Sequence, residues 1–500
     1  MPKVFLIEWS ASHLKDVALE LQKNGCEILY WTGDVFYKNE FPNTLFHSSY
    51  DVVKAIPAEG VETKNFSPIG KDMIEKFYEC ESETLSMMNR IDYENESLHK
   101  KKELYYSLLK YWSNILEQKK PDAIIFSTTP HLVYDFMLYN TAKHLGIKTI
   151  FFIPTRIPDR LLLLNDIKEG SKKLLQELDK NVENKLEDLS EDMREYYKSQ
   201  TEKNGTPRFP LYTHAELYKN PIKVLYAPPV KKIIDSIKDA TIVDKGEAYL
   251  KRVFLTKSRL LTMGNNYVGL EYQKKLWEWE QLKKEFEKEY RALEINPDLN
   301  KKFIYAPLQF QPERSTSPEG GVFVDQFLMF DILSKAIPDD WVIYAKEHLS
   351  QWTKGGTHAH QGRYKGYYKK LASYKNVYLA KPEISSNILI DNCQATSTVA
   401  GTGSWEAVLN GKPSLTFGYA SYKDCSEIFK VYDLDSCKEA IEKISGGWLP
   451  DKQKVLNYLG AFDRASVKAR IEQGVEKTPV ASMEENNKAI LIAILEELNI

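Results

Sequence analysis

The chain has few cysteines, and none stand in a spacing used for metal or redox chemistry. Cys26, Cys80, Cys393, Cys425 and Cys437 are scattered and odd in number. That pattern excludes a disulfide framework and a CxxC zinc site, and it fits a reducing compartment. Long hydrophobic runs are also missing. No stretch reaches the roughly 18 apolar residues of a membrane span, and the opening MPKVFLIEWSASHLKDVALEL holds too short an apolar run for a secretory leader. A charge excess of either sign is absent too: Lys+Arg 68 against Asp+Glu 70 gives a formal net charge of -2. No overall field therefore draws nucleic acid or an anionic bilayer, and any affinity for anions must be local. The expected location is cytoplasmic, with no nucleic-acid partner.

What is present is an alternation of short buried strands and amphipathic helices over 500 residues, too long for one ordinary core. Val4–Ile7, a helix over Ser12–Lys23 and Glu27–Trp31 form a β-α-β opening. The strand Ala123–Phe126, a helix over Leu132–Leu145 stopped by Gly146, and the strand Thr149–Ile153 repeat it. Residues 1–165 thus read as a doubly wound α/β domain. Residues 166–297 turn to Lys, Glu, Asp and Leu and read as a mainly helical insertion, with a Pro- and Tyr-rich irregular stretch at 205–229. The α/β rhythm returns over 298–480, through the strands Phe303–Leu308, Trp341–Ala345, Asn376–Leu379 and Ala395–Val399 and the helices Val322–Lys335 and Ser386–Asp391. A helix in 481–500 closes the chain.

Parallel sheets bind ligands at the carboxyl ends of their strands, so the loops that leave those ends carry the chemistry. Three such loops belong to the second domain. In GTGSWE, Gly401 and Gly403 permit close backbone approach, Thr402 and Ser404 offer hydroxyls, and the helix start presents its positive end to a phosphate. Glu406, one turn on, suits a ribose diol; the same pattern also serves as a tight turn in any α/β domain. In KEHLSQW, Lys346, Glu347 and His348 stand just past a strand, where Lys346 and His348 can donate to a leaving phosphate. In QFQPERSTSPEGG, Gln309, Gln311, Glu313 and Arg314 gather polar groups, and Arg314 suits a carboxylate or phosphate, or else a surface ion pair.

The first domain offers Glu8 and His13 in IEWSASH and His131 and Asp135 in STTPHLVYD as general-base or acceptor-contact candidates. His131, at a strand-to-helix turn, is preferred, and Asp135 is expected on a solvated helix face. A metal reading would recruit His358 and His360 from GGTHAHQGR; no metal is expected, and no cofactor beyond a nucleotide-linked substrate.

Three stretches together resemble the bacterial capsule polysaccharide synthesis family, which includes transferases of CMP-linked Kdo: PLQFQPERSTSPEGG, KEHLSQW and GTGSWEAVLNGKPSLTFG, the last followed by YASYKDC. The family has Pro where Leu349 stands. The resemblance covers about Phe303 to Phe429, and TTPHLVYDFMLYNTAKHLGIKT matches more loosely. It implies a GT-B fold, two Rossmann-like domains facing a cleft, and a kinship with bacterial sialyltransferases. It further implies a metal-independent glycosyltransferase taking an ulosonic acid from a CMP-sugar to a surface or capsular glycan. Catalysis is expected from His348, Glu347, His131 and Glu313. Donor contact is expected from Lys346, Thr402, Gly403, Ser404, Glu406, Arg314, Gln309 and Gln311. A UDP-sugar or CDP-alditol donor in the same cleft is the rival reading, as is a noncatalytic glycan- or nucleotide-binding component of polymer assembly. UDP-sugar 2-epimerases share the fold as well. The acceptor is expected to be a glycan or lipid-linked glycan, which places the protein at the inner face of the membrane; YLKRVFLTKSRLLTM is the segment whose basic and apolar mixture suits peripheral contact.

Overall fold

The computed structural model describes residues 1–33, 37–155, 157, 159–201, 260–352, 359–472 and 482–500. The 205–229 stretch, most of the YLKRVFLTKSRLLTM segment and His358 lie outside them. The first sheet forms from runs too apolar to face water on either side, as parallel strands covered by helices require. Its strands are β1 (Lys3–Ile7), β2 (Glu27–Gly33), β3 (Leu45–Ser48), β4 (Ala123–Phe126), β5 (Lys148–Pro154) and β6 (Arg160–Leu164). They lie in the order β6-β5-β4-β1-β2-β3, with only β6 antiparallel to its neighbour β5. Helices α1 (Leu14–Lys23), α2 (Leu98–Lys119) and α3 (Tyr134–His144) cover the sheet. The start of α3 falls two residues later than its apolar spacing suggests, because Val133 takes φ +69°; Gly146 ends it with φ +71°.

The second sheet is parallel throughout. Its strands are β7 (Glu294–Ile295), β8 (Phe303–Pro307), β9 (Val342–Lys346), β10 (Val377–Ala380), β11 (Ala395–Thr398), β12 (Ser414–Thr416) and β13 (Phe429–Lys430). Their order is β13-β12-β11-β8-β9-β10-β7. Strand order reverses between β1 and β4 in one sheet and between β8 and β11 in the other, so each sheet opens a crevice at its own switch point. The fold is thus the expected GT-B pair of doubly wound domains. The helix Gly269–Arg291 ends with Phe286 and Tyr290 in the core of this second domain, so the insertion expected to run to 297 gives way to the second domain well before that residue. The helix expected over Val322–Lys335 splits into a 3₁₀ turn at Gly321–Val324 and a helix over Phe327–Ala336.

The chain end corrects the boundary expected at 480. After Leu434–Ser445 on the second sheet, the helix Lys452–Ala465 buries Leu459 and Phe462 in the first domain's core. Strand β14 (Val467–Lys468) then pairs antiparallel with β6, and the helix Met483–Leu498 places Ile490 and Ile494 beside Leu14 and Val17 of α1. The same first-domain core also takes in Trp405, Val408 and Tyr422, and Trp405 Nε1 donates to Tyr196 Oη at 2.9 Å. The two domains therefore share packed apolar surface. No described helix is long and apolar enough to cross a membrane.

One buried polar chain inside the first domain has a pH consequence. His47 Nε2–H donates to the Ile56 carbonyl at 2.8 Å, so Nδ1 accepts from Tyr30 Oη, which in turn meets Tyr111 Oη at 2.8 Å. Burial pushes the imidazole down to about 4. The folded state thus stays neutral while the unfolded chain takes up a proton, and stability falls as pH drops from about 6.5 to about 4, by about 1.4 kcal/mol per unit. Thermal midpoints measured across that window should fall more steeply for the wild type than for His47→Gln. Parallel slopes would contradict the assignment.

Candidate functional site

The second crevice is built around the turn that leaves β8. Gln309 is buried, and its backbone is locked by Gln326: its N–H donates to Oε1 at 2.9 Å and its carbonyl accepts from Nε2 at 3.3 Å. Its own Oε1 accepts from Ala400 N–H at 3.1 Å across the switch point, which leaves Nε2 buried without a partner. A buried amide donor left unsatisfied costs stability unless a ligand meets it, so this atom marks a place for an acceptor. Gln311 is different. Its Nε2 donates to the Val324 carbonyl at 2.7 Å and its Oε1 accepts from Arg363 at 3.0 Å, so its expected substrate contact becomes a supporting one.

The helix α4 (Thr402–Leu409) starts at this crevice with Gly401 as its N-cap. A Cβ on Gly401 would stand 3.3 Å from Gln309 Cγ, and one on Gly403 3.3 Å from Pro307 Cγ. The glycines thus let the helix start press against the end of β8, and the free N–H groups of the first turn remain for an anion. Thr402 is half-buried there. Ser404 is not available: fully buried, its Oγ donates to the Leu415 carbonyl at 2.9 Å and meets Thr398 Oγ1 at 2.9 Å. Its expected donor role is therefore corrected to a tie between helix and sheet. Glu406, half-buried one turn on, lies close enough to Lys346 for its charge to be felt there.

Lys346 ends β9 and is buried. Its Nζ donates to the Ile384 carbonyl and to Ser386 Oγ, each at 2.8 Å, which leaves one of its three protons for a ligand. Burial pulls the ammonium down to about 8, with Glu406 and Glu383 opposing. Glu347 next to it is spent on structure. Its side chain and that of Arg363 are both 0% exposed, joined through Oε2 to Nε at 2.7 Å and Oε1 to Nη2 at 2.9 Å. Tyr368 Oη also donates to Oε2, and His348 N–H to Oε1. The expected catalytic role of Glu347 is thus replaced by positioning: it fixes the backbone of His348. The residue after His348, Leu349, opens a 3₁₀ turn to Trp352, and Ser350 N–H donates to His348 Nδ1 at 3.2 Å. A backbone N–H can only donate, so Nδ1 is the acceptor and the proton sits on Nε2.

The first crevice holds Glu8 and the loop after β4. Glu8 follows β1 with φ +57°, an uncommon backbone for a residue with a side chain, and Ser49 Oγ donates to its carboxylate at 2.6 Å. Ser127 Oγ donates to the Glu8 carbonyl, also at 2.6 Å, which joins the two loops. His131 Nδ1–H donates to the Thr129 carbonyl at 2.7 Å, so Nε2 carries a lone pair. Burial first, then Arg90 and Arg314, push this imidazole down to about 3. Asp135 is not on a solvated face. It is buried and caps the turn by accepting from His131 N–H at 3.1 Å and Leu132 N–H at 2.6 Å, with burial raising it to about 6. His13 also leaves the candidate set: it is buried against the last helix, with Nδ1 at 2.8 Å from Asn487 Oδ1.

The two crevices meet through their loops. Arg314 Nη1 donates to Thr128 Oγ1 at 3.0 Å while its Nε pairs with Glu319 at 3.0 Å, and Thr129 Oγ1 donates to the same Glu319 at 3.3 Å. Glu313 accepts from Ser315 Oγ at 2.8 Å beside them. Three residues absent from the expected set prove central. Arg90 donates to the His131 carbonyl on one side and to the Ser317 carbonyl at 2.9 Å on the other. Arg363 holds Glu347, and Tyr290 Oη accepts from Glu347 N–H at 3.2 Å. No local signal marks them: Arg90 lies in MNRID, between two helices, and Arg363 ends GGTHAHQGR, a stretch with no periodic pattern. Among the described residues no group of three metal-type ligands forms, and His360 instead stacks on Trp279 at 4.9 Å.

No protein-family model and no curated protein sequence matches the chain. Among solved structures, a beta Kdo 2,7 transferase KpsC from Thermosulfurimonas dismutans is 11% identical, covering 80% of this chain and 98% of its own, with TM-score 0.28. A beta Kdo 2,4 transferase KpsC of the same organism is 12% identical over 68% and 87%, with TM-score 0.26. A UDP-GlcNAc 2-epimerase from Methanocaldococcus jannaschii is 12% identical over 90% and 93%, with TM-score 0.21. All three likenesses are too distant to transfer an activity, and what the cleft does has to be argued from its own residues.

Proposed function

We propose that the protein is a GT-B glycosyltransferase that moves a sugar from a nucleotide-sugar, in the first place an ulosonic acid from a CMP-sugar, to a glycan or lipid-linked glycan acceptor. The observation that carries this reading is the meeting of two switch-point crevices, one rich in anion donors and one ending in a carboxylate. The donor phosphate would lie against the first turn of α4, with His348 Nε2–H, Lys346 and the orphan Nε2 of Gln309 within the same crevice. As the bond from the sugar's anomeric carbon to phosphate oxygen breaks, the electron pair goes to the nucleotide. The imidazole and ammonium would offset that charge. Glu406 would take the ribose hydroxyls.

The acceptor hydroxyl would approach from the first domain. With its affinity for a proton lowered so far, His131 is a poor base at neutral pH and serves to orient that hydroxyl through its Nε2 lone pair. Glu8 is then the group that takes the hydroxyl proton as the new C–O bond forms. Glu313, tied to Ser315, lines the junction of the two loops.

Incubation of the full chain with CMP-Kdo, CMP-sialic acid, UDP-GlcNAc and CDP-glycerol, with release of the free nucleotide as readout, tests the reading. CMP release supports it; UDP or CDP release moves the donor; no release from any donor that binds leaves a binding component. His348→Ala should cut the rate on the accepted donor by about 10²- to 10³-fold, the usual effect of losing one donor to a leaving oxyanion. A change under about threefold would remove His348 from the site.

A further inference from the structure

The YASYKDC stretch leaves the carboxyl end of β12 and is fastened on several sides. Tyr419 N–H donates to the Glu319 carbonyl at 2.6 Å, Lys423 Nζ donates to the Glu169 carbonyl at 3.1 Å, and the Ser421 carbonyl accepts from Tyr458 Oη at 3.2 Å. The stretch is thereby tied to the loop after β8, to the loop after β6 and to the helix Lys452–Ala465 that crosses between the domains. Tyr422 at its centre is 5% exposed, and a buried phenol needs a partner for its hydroxyl. That partner is the Gly401 carbonyl, which also accepts from Thr398 Oγ1 at 3.2 Å.

Gly401 is the N-cap of α4, and no side chain caps that helix. A trans peptide unit turns its C=O and the following N–H to opposite sides. Two buried hydroxyls that hold the Gly401 carbonyl on the core side therefore aim the Thr402 N–H outward, into the crevice. An independent donor stands at the same spot. A Cβ on Gly401 would come within 3.5 Å of Gln309 Nε2, the buried amide nitrogen without a partner. Helix start and amide nitrogen together make a place for one anion, so whatever fixes the helix start fixes the site.

The Tyr422 ring belongs to the core shared by the two domains. It stacks on Trp405 at 6.0 Å with 16° between the planes, and it lines one small internal space with Trp405, Tyr458, Phe462 and, from the first domain, Thr155 and Ile157. We propose that Tyr422 is a positioning residue of this anion site: its hydroxyl sets the aim of the α4 start, and because its ring is held by the first domain and the crossing helix, the packing between the domains governs how well the second crevice takes an anion. The inference rests on the nucleotide-sugar reading only in naming the anion as a nucleotide's phosphate, and its test is separable from that reading.

Isothermal titration of the full chain with inorganic phosphate and with CMP compares the wild type with Tyr422→Phe, and amide hydrogen exchange over Thr402–Leu409 is read with and without phosphate. The Gly401 carbonyl keeps Thr398 in this variant, so the fold should survive. Tyr422→Phe should weaken both ligands about three- to tenfold, the effect of one lost hydrogen bond, and should reduce the protection that phosphate gives the first turn of α4. Thr398→Val should also weaken them, whereas Thr398→Ser, which keeps the hydroxyl, should bind as the wild type does. In ligand-free Tyr422→Phe, exchange along α4 should stay close to the wild type, which separates lost aim from lost packing. Unchanged phosphate affinity in Tyr422→Phe, a loss matched by faster ligand-free exchange along the whole helix, or a wild type that binds neither ligand would overturn the proposal. If phosphate binds through Tyr422 and CMP binds no more tightly than phosphate, the nucleotide reading falls and the positioning role stands. If CMP binds and Tyr422→Phe changes nothing, the positioning role falls and the reading stands. The two Thr398 variants carry the same comparison if Tyr422→Phe does not fold.

Discussion

Replacing Arg363 with methionine is expected to destabilise the loop that carries His348 by about 3–5 kcal/mol, the effect of stripping one partner from a buried ion pair. Both side chains of the pair are 0% exposed, and Glu347 would keep its charge with only Tyr368 Oη and the His348 N–H to offset it. The consequence is local before it is global. The Arg363 guanidinium also reaches the Gln309 carbonyl at 3.2 Å and Gln311 Oε1, so it joins the loop after β8 to the loop after β9. Amide hydrogen exchange over Lys346–Trp352 should accelerate sharply in Arg363→Met. A double variant, Arg363→Met with Glu347→Leu, should recover part of the protection because it removes both charges. Unchanged exchange in the single variant would show that the pair does not hold this loop.

Glu8→Gln is expected to lower transfer by about 10²- to 10⁴-fold while nucleotide binding stays as in the wild type. The amide keeps the shape and can still meet Ser49, but it cannot accept the proton of an attacking hydroxyl. Glu8 lies in the first domain, and the groups proposed to hold the nucleotide lie in the second, which is why binding and turnover should separate. Single-turnover rates with saturating donor would read the loss directly. A loss below tenfold would take the base from Glu8, and a parallel loss of nucleotide affinity would point to a structural role through its positive-φ backbone.

Much of the fold is legible in the sequence because strands such as Ala123–Phe126 and Phe303–Pro307 are buried and apolar, which leaves little choice of element. The loops that leave them are legible for the same reason, since a polar stretch after such a run lies at the sheet's carboxyl edge. Ser404 shows where that logic stops. A Gly/Ser/Thr loop suggests hydroxyls turned to a ligand, yet this hydroxyl is consumed by the Leu415 carbonyl. Glu347 beside a histidine suggests catalysis, yet its partner Arg363 comes from a segment with no periodic pattern to place it. The crossing of the chain end is hidden for a similar reason: β14 is two residues long and pairs with a strand some 300 residues earlier, and only tertiary contact assigns it.

The central claim, that the second crevice holds a nucleotide and prefers CMP, is tested most directly by thermal stabilisation with CMP, UMP, UDP and CDP in the wild type and in Glu406→Ala. At about 100 times its dissociation constant a ligand adds about 2.7 kcal/mol, an easily measured shift. The account expects CMP to stabilise the wild type most and the shift to shrink in Glu406→Ala. A larger shift with UDP or CDP would move the donor, and no shift with any nucleotide would contradict the claim.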